Sequence, residues 1–233
     1  MNKLAHYFDG WSWKEKTWLV FVLAVQTIAW VINKQTVFML IMTLTSSLNL
    51  VLGAKGKIEG LYFAIINSAL YAIQCFSIPL YGEIMYNLAY SIPVSIASII
   101  LWRKNTAEGG EIKFRTMTVR GIILTIIVTV AGVFGYAEIL KLMGGGFAFM
   151  DSLTTVVAVV ASFLYMKRYS EQWLMWVIVN ALSIVMWIMV LASGDTSAIL
   201  IIIMKCVNLA NSTYGYFNWK NIAKEVKAES ASS

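Results

Sequence analysis

Residues Glu171 to Trp187 read EQWLMWVIVNALSIVMW, an aliphatic run interrupted by three tryptophans, an asparagine and a serine. On an α-helix, residues three and four apart share a face. Trp173, Trp176, Asn180, Ser183 and Trp187 keep that spacing without a gap, so one stripe roughly 21 Å long, at ~1.5 Å per residue, is aromatic and polar while the rest is aliphatic. Such a helix shows lipid its apolar back and turns its special face toward other helices. Tryptophan belts at the membrane surface and Asn or Ser bonds between helices explain isolated cases, and Trp173, about one turn from the surface, fits either role. Asn180 near the bilayer centre needs a partner, and a belt does not reach that depth. Trp176, Asn180 and Trp187 together therefore point to a ligand path.

The surrounding chain agrees with a membrane setting. Of 233 residues, 59% are hydrophobic and 13% charged, with a mean hydropathy of +0.73, against about 45–50% and 25% in soluble domains. The apolar blocks have helix-spanning length, which excludes the ten-residue alternating strands of a barrel. Eight spans are read at 17–33, 36–54, 60–80, 83–102, 120–141, 148–167, 171–192 and 196–219. The fold class is thus all-α and polytopic. The first span has no small-residue cleavage site behind it and is expected to stay in the mature chain.

Basic residues of short loops gather on the cytoplasmic side. With eight spans, fifteen lysines and arginines fall on one side and only Lys34 and Lys141 on the other, while Lys205 lies inside the last span. Dropping any span scrambles this division, so both termini are expected in the cytoplasm. The net charge of +6 then follows from topology and contact with the anionic lipid bilayer, and no nucleic-acid partner is implied.

Cys75 and Cys206 sit in apolar blocks, the sole histidine, His6, lies in the polar N-terminus, and no HExxH, CxxC or Walker-type loop occurs. No metal or cofactor is expected. A membrane-embedded enzyme would cluster His, Asp or Glu at depth, or set a serine beside a base, and Lys205 is the one ionisable residue read as buried. Lys205 is expected to join a structural ion pair with Asp151 or Glu83, both placed near the outer ends of their spans. With no carboxylate at mid-depth, a proton relay has no support.

Sliding the sequence on itself by 113 positions aligns Asn67 with Asn180, Lys55 with Arg168, Phe63 with Trp176 and Gln74 with Trp187. Two three-span units result, with a single linker span between them that lets the second repeat the first in the same orientation, a known transporter plan. The expected division is a peripheral N-terminal part (1–35), a first repeat (36–104), a loop and linker helix (105–147), a second repeat (148–220) and a tail (221–233). Facing the tryptophan stripe would be Phe63, Asn67, Tyr71 and Gln74 of span three, Glu83, Asn87 and Tyr90 of span four, and Asn208, Asn211 and Gly215 of span eight.

The block FMDSLTTVVAVVASFLYMKRYSEQWLMWVIVNALSIVMW, Phe149 to Trp187, resembles the second-repeat signature of the PnuC family of bacterial nicotinamide riboside transporters. The shared elements are Asp151 and Ser152 opening a helix, the basic turn Lys167, Arg168, Tyr169, and the W-x-x-W-x-x-x-N run of Trp173, Trp176 and Asn180. The first repeat fits through GLYFAIINSALY, Gly60 to Tyr71, and a basic stop follows Trp219. The resemblance covers about residues 36 to 220. It implies a SWEET-like 3+1+3 arrangement in the bacterial inner membrane, and facilitated diffusion of nicotinamide riboside for NAD synthesis. A cytoplasmic riboside kinase would trap the imported cargo.

That cargo joins a flat pyridinium cation to a carboxamide and a ribose. Trp176 and Trp187 are then expected to stack on or wall the cation, Asn67, Gln74 and Asn180 to hold the carboxamide and ribose, and Trp173, Tyr90 and Asn211 to gate or support them, with Tyr71 also counted among the substrate-binding residues. The extra N-terminal span departs from the seven-helix plan of the family. Thiamine, another flat cation, or a further vitamin or nucleoside is the alternative cargo. An enzyme or a receptor is the alternative from another class, and oligomeric state, including a homo-oligomer, is left open.

Overall fold

The computed structural model describes residues 11–78, 80–104 and 114–232, with side chains described as far as residue 221. Lys3, His6, Lys113 and the side chains of Lys224 and Lys227 lie outside it. The chain forms helices α1 (Trp13–Ile32), α2 (Val37–Ala54), α3 (Glu59–Cys75), α4 (Tyr81–Lys104), α5 (Val119–Leu142), α6 (Ala148–Met166), α7 (Gln172–Ala192) and α8 (Ala198–Ser232). Seven are long and apolar enough to cross a membrane, and α3, with 17 residues, stands at the lower end of the ~17–25 range.

Local chemistry sets the helix ends. Ser12 and Glu15 form a capping box at α1, and the Thr36 and Thr118 hydroxyls accept from Met39 N and Gly121 N at the starts of α2 and α5. Beyond the ends of α2 and α6, Gly56 and Arg168 adopt φ values of +68° and +64°, which turn the chain sharply. The third span ends five residues before its expected limit, because the chain leaves the helix at Phe76 ahead of Pro79. Within α4, Tyr86–Ser91 widen into a π-helical turn just before Pro93, whose ring has no N–H to donate and crowds the preceding turn.

Helix contacts define a closed ring. Each of α2, α3, α4, α6, α7 and α8 packs on the next in that order, and α8 returns to α2. The middle helix of each triplet, α3 or α7, holds its two partners, and the triplets meet at two seams, α2 against α8 and α4 against α6. This is the 3+1+3 arrangement with two parallel repeats. The offset of 113 fits the starts of α3 and α7 but grows to 117 by the starts of α4 and α8, since α7 has 21 residues and α3 has 17. The second repeat therefore carries one additional turn in its middle helix.

The linker α5 leans mainly on α6, with a side contact from the Tyr136 hydroxyl to Met85 Sδ of α4 at 3.4 Å, and exposes Ile123, Ile127 and Phe134 on its outer face, as a lipid-facing helix requires. The additional helix α1 covers the α2–α8 seam. Glu15 at its start pairs with Lys55 of α2 at 2.9 Å and accepts from the Tyr214 hydroxyl of α8, while Trp18 Nε1 donates to Asn211 Oδ1 at 3.1 Å. One helix thus ties both repeats together at a single seam.

Candidate functional site

All six ring helices line a cavity of about 110 Å³ at the bundle centre. Its two ends differ in chemistry. Toward the basic end of the bundle the walls are aromatic: Trp173 and Trp176 at the start of α7, and Tyr165 at the end of α6. Toward the opposite end lie Glu83 on the first turn of α4, Tyr71 near the end of α3, and Lys205 two turns into α8. Between them stand the amides of Asn67, Asn87, Asn180 and Asn208 and a group of serines.

The amides are oriented by neighbouring protein atoms. Asn67 Nδ2 donates to Met42 O at 2.8 Å, and Asn180 Nδ2 donates to Trp176 O at 2.8 Å and Ser212 Oγ at 3.2 Å. Each keeps a carbonyl oxygen for a donor such as a carboxamide N–H or a hydroxyl. Asn208 Nδ2 donates to Ser46 Oγ, while Asn208 Oδ1 and Trp173 Nε1 are buried with no bond among the described residues. A buried polar atom without a partner is costly unless a ligand or water completes it. Trp173 is fixed closely, because a Cβ on Gly215 would meet its ring at 2.7 Å.

An aromatic cluster stands at each end of the cavity. At the basic end Trp219 gathers Phe114, Trp173, Tyr165 and Trp102 with ring centroids 3.9–5.9 Å apart, and its Nε1 donates to Ala54 O. Phe114 reaches this cluster from the loop before α5, held there by paired backbone bonds between Arg115 and the α6–α7 turn at Arg168 and Ser170. At the other end Trp187 Nε1 donates to the Tyr71 hydroxyl at 2.8 Å across the ring, amid Met39, Met42, Met186 and Met204. The cavity lies between these two plugs.

Of the residues expected at the site, Trp173, Trp176, Asn180, Asn67 and Tyr71 meet in the cavity. Trp187 belongs to the plug beyond it. Gln74 Nε2 donates to Ser197 Oγ at 3.1 Å, the Tyr90 hydroxyl donates to Val159 O at 3.1 Å, and Asn211 is engaged by Trp18, so these three face neighbouring helices. The expected ion pair of Lys205 is absent among the described residues. Asp151 is already committed to the backbone, accepting from Gly82 N at 2.7 Å and Glu83 N at 2.9 Å, and so caps the start of α4. Lys205 Nζ instead stands 4.7 Å over the Tyr71 ring.

Two corrections follow from the early break after α3. Glu83 and Asp151 are both buried, at 5% and 1% exposure, so Lys205 is not the one buried ionisable residue and a carboxylate does reach the cavity. Asn87, expected to face the tryptophan stripe, does line the cavity, and Tyr86, on the same π-helical turn, and Tyr165 line it unannounced by any stripe. The signal for Tyr86 in the sequence was the polar run YNLAYS ahead of Pro93.

A family model described as nicotinamide mononucleotide transporter matches residues 36–221. The chain is 35% identical to a "Nicotinamide riboside transporter PnuC" of Neisseria mucosa, covering 93% of this chain and 84% of that one. To the protein of that name from Haemophilus influenzae it is 32% identical, covering 94% of each. A solved structure described as "Crystal structure of the Vitamin B3 transporter PnuC" superposes with a TM-score of 0.86 at 33% identity, covering 94% of this chain and 95% of that chain. Matches of this extent exceed what the sequence after residue 35 can supply, so they run into α1, which these relatives share. The chain is a multi-pass membrane transporter and belongs to the nicotinamide mononucleotide transporter family.

Proposed function

We propose that the protein carries nicotinamide riboside across the bacterial cytoplasmic membrane by facilitated diffusion, with the two three-helix repeats rocking about the central cavity. The observation that supports this most is the make-up of that cavity: indole and phenol faces at one end for a flat cation, and amide oxygens beside them for a carboxamide. An aromatic cluster at each end suits a carrier whose two ends open alternately. The basic end faces the cytoplasm by the positive-inside rule, where a riboside kinase would trap the cargo by phosphorylation.

Riboside is favoured over mononucleotide by charge. A phosphate dianion calls for arginine or lysine forks or for free backbone N–H groups at a helix start. Lys205 is the one basic side chain lining the cavity among the described residues, Glu83 shares the space, and the start of α4 is already occupied by the Asp151 carboxylate.

Competition against labelled nicotinamide riboside on the purified protein tests this reading. Unlabelled riboside is expected to displace the label, with nicotinamide mononucleotide weaker by about a hundredfold, the order of two lost charge-assisted bonds. Mononucleotide binding as tightly as riboside would contradict the charge argument, and displacement by thiamine in its place would move the chain to another cargo.

A further inference from the structure

We propose that Glu83 and Lys205 form the hydroxyl-reading end of the cavity, where the Glu83 carboxylate accepts hydrogen bonds from the vicinal hydroxyls of a ribose and the Lys205 ammonium donates to them. This deepens the riboside reading and rests on it. Neither residue belongs to the tryptophan signature.

The geometry supplies the case. Glu83 is buried and lines the cavity, and its Oε1 accepts from Thr154 Oγ1 of α6 at 3.0 Å. An ionised carboxylate offers about four acceptor positions, so the Thr154 bond leaves acceptor capacity unused, while Asn87 Nδ2 donates to the Glu83 backbone oxygen at 2.7 Å. Its backbone is pinned by the Asp151 cap at Glu83 N, which holds the side chain at one depth. Lys205 lines the same space with three donors, and its Nζ stands 4.7 Å over the Tyr71 ring.

Charges inside a membrane protein ordinarily pair closely, since burial without a partner is expensive. Glu83 and Lys205 act on each other electrostatically, yet no contact within ion-pair distance forms between them. An acceptor and a donor held apart across a cavity suit a neutral, polyhydroxylated group that bridges them. A carboxylate bonding ribose hydroxyls is also the arrangement by which dinucleotide folds hold a 2′-OH.

Charge sets the direction as well. Lys205 already occupies the face of Tyr71 and repels a second cation, whereas the far end offers Trp173, Trp176 and Tyr165 with no positive group among the lining residues. The pyridinium therefore lies toward the basic end and the ribose toward Glu83.

The test is equilibrium binding of nicotinamide riboside and its 2′-deoxy analogue to the full-length protein and to Glu83→Gln. Wild type is expected to prefer the riboside by about tenfold or more, the worth of a hydrogen bond to a charged group. Glu83→Gln should shrink that preference to within about threefold by weakening the riboside selectively. Lys205→Met, judged folded by an unchanged elution profile and melting curve, should shrink it as well and serves if Glu83→Gln does not purify. Equal weakening of both ligands by the variants, or a wild type that binds both alike, would overturn the assignment. A wild type that binds neither would overturn it together with the riboside reading, an outcome told apart because no preference is then measurable in any protein.

Discussion

Trp176→Leu is expected to weaken nicotinamide riboside binding by about thirtyfold or more while the protein still inserts and purifies. Base–aromatic stacking contributes ~1–3 kcal/mol, and a desolvated cation–π contact contributes about 2 kcal/mol. Together, at ~1.4 kcal/mol per tenfold, they exceed a thirtyfold loss. Stability should hold, because Trp176 is half-buried and packs at the junction of two clusters, Tyr86, Val157, Ala158 and Val179 on one side and that of Leu61, Trp173 and Trp219 on the other, where leucine remains a good filler. The bond that Trp176 makes to Asn180 runs through its backbone oxygen and survives the change. Unaltered affinity in Trp176→Leu would remove the aromatic wall from the account of the site.

Asp151→Ala is expected to destabilise the protein by about 2–6 kcal/mol, from two buried backbone donors left without partners at about 1–3 kcal/mol each. Its carboxylate caps α4 from another helix, and thereby joins the two repeats at the α4–α6 seam. The fit leaves no slack: a Cβ at Gly82 would stand 2.7 Å from Asp151 Oδ1 and 2.8 Å from Thr155 Oγ1. Asp151→Asn keeps one acceptor oxygen and should lose roughly half as much. Thermal unfolding in detergent reads both, and a melting curve of Asp151→Ala that overlays wild type would show that the cap does not support the seam.

The eight helices were legible because hydropathy and the positive-inside bias are local and cumulative, and the stripe from Trp173 to Trp187 was legible because helical spacing assigns a face. Spacing does not assign depth. Trp187 lies about 10 Å beyond Asn180 along α7 at ~1.5 Å per residue, past the point where Tyr71 crosses the ring, so it closes the cavity instead of lining it. Asn211 shares the α8 sequence with Asn208 but turns to Trp18 of α1, a neighbour that no pattern within α8 reveals.

Glu83 was misjudged for a boundary reason. Ending the third span at residue 80 set Glu83 at the membrane surface, whereas the break after Cys75 and the short reversal before Tyr81 carry it inward. Asp151 was misjudged because its partners are backbone amides of a distant helix, and charge pairing considers side chains alone. The repeat offset drifted by one turn for a similar reason: a four-residue insertion in α7 preserves the face and escapes a fixed-offset comparison.

The measurement that bears most directly on the central claim is uptake of labelled nicotinamide riboside into proteoliposomes holding only this protein, with no ion gradient imposed. Saturable uptake down the concentration gradient, accelerated when the lumen is preloaded with unlabelled riboside, is the predicted result. Uptake that requires a proton or sodium gradient, or no flux above that of protein-free liposomes, would contradict facilitated diffusion through the central cavity.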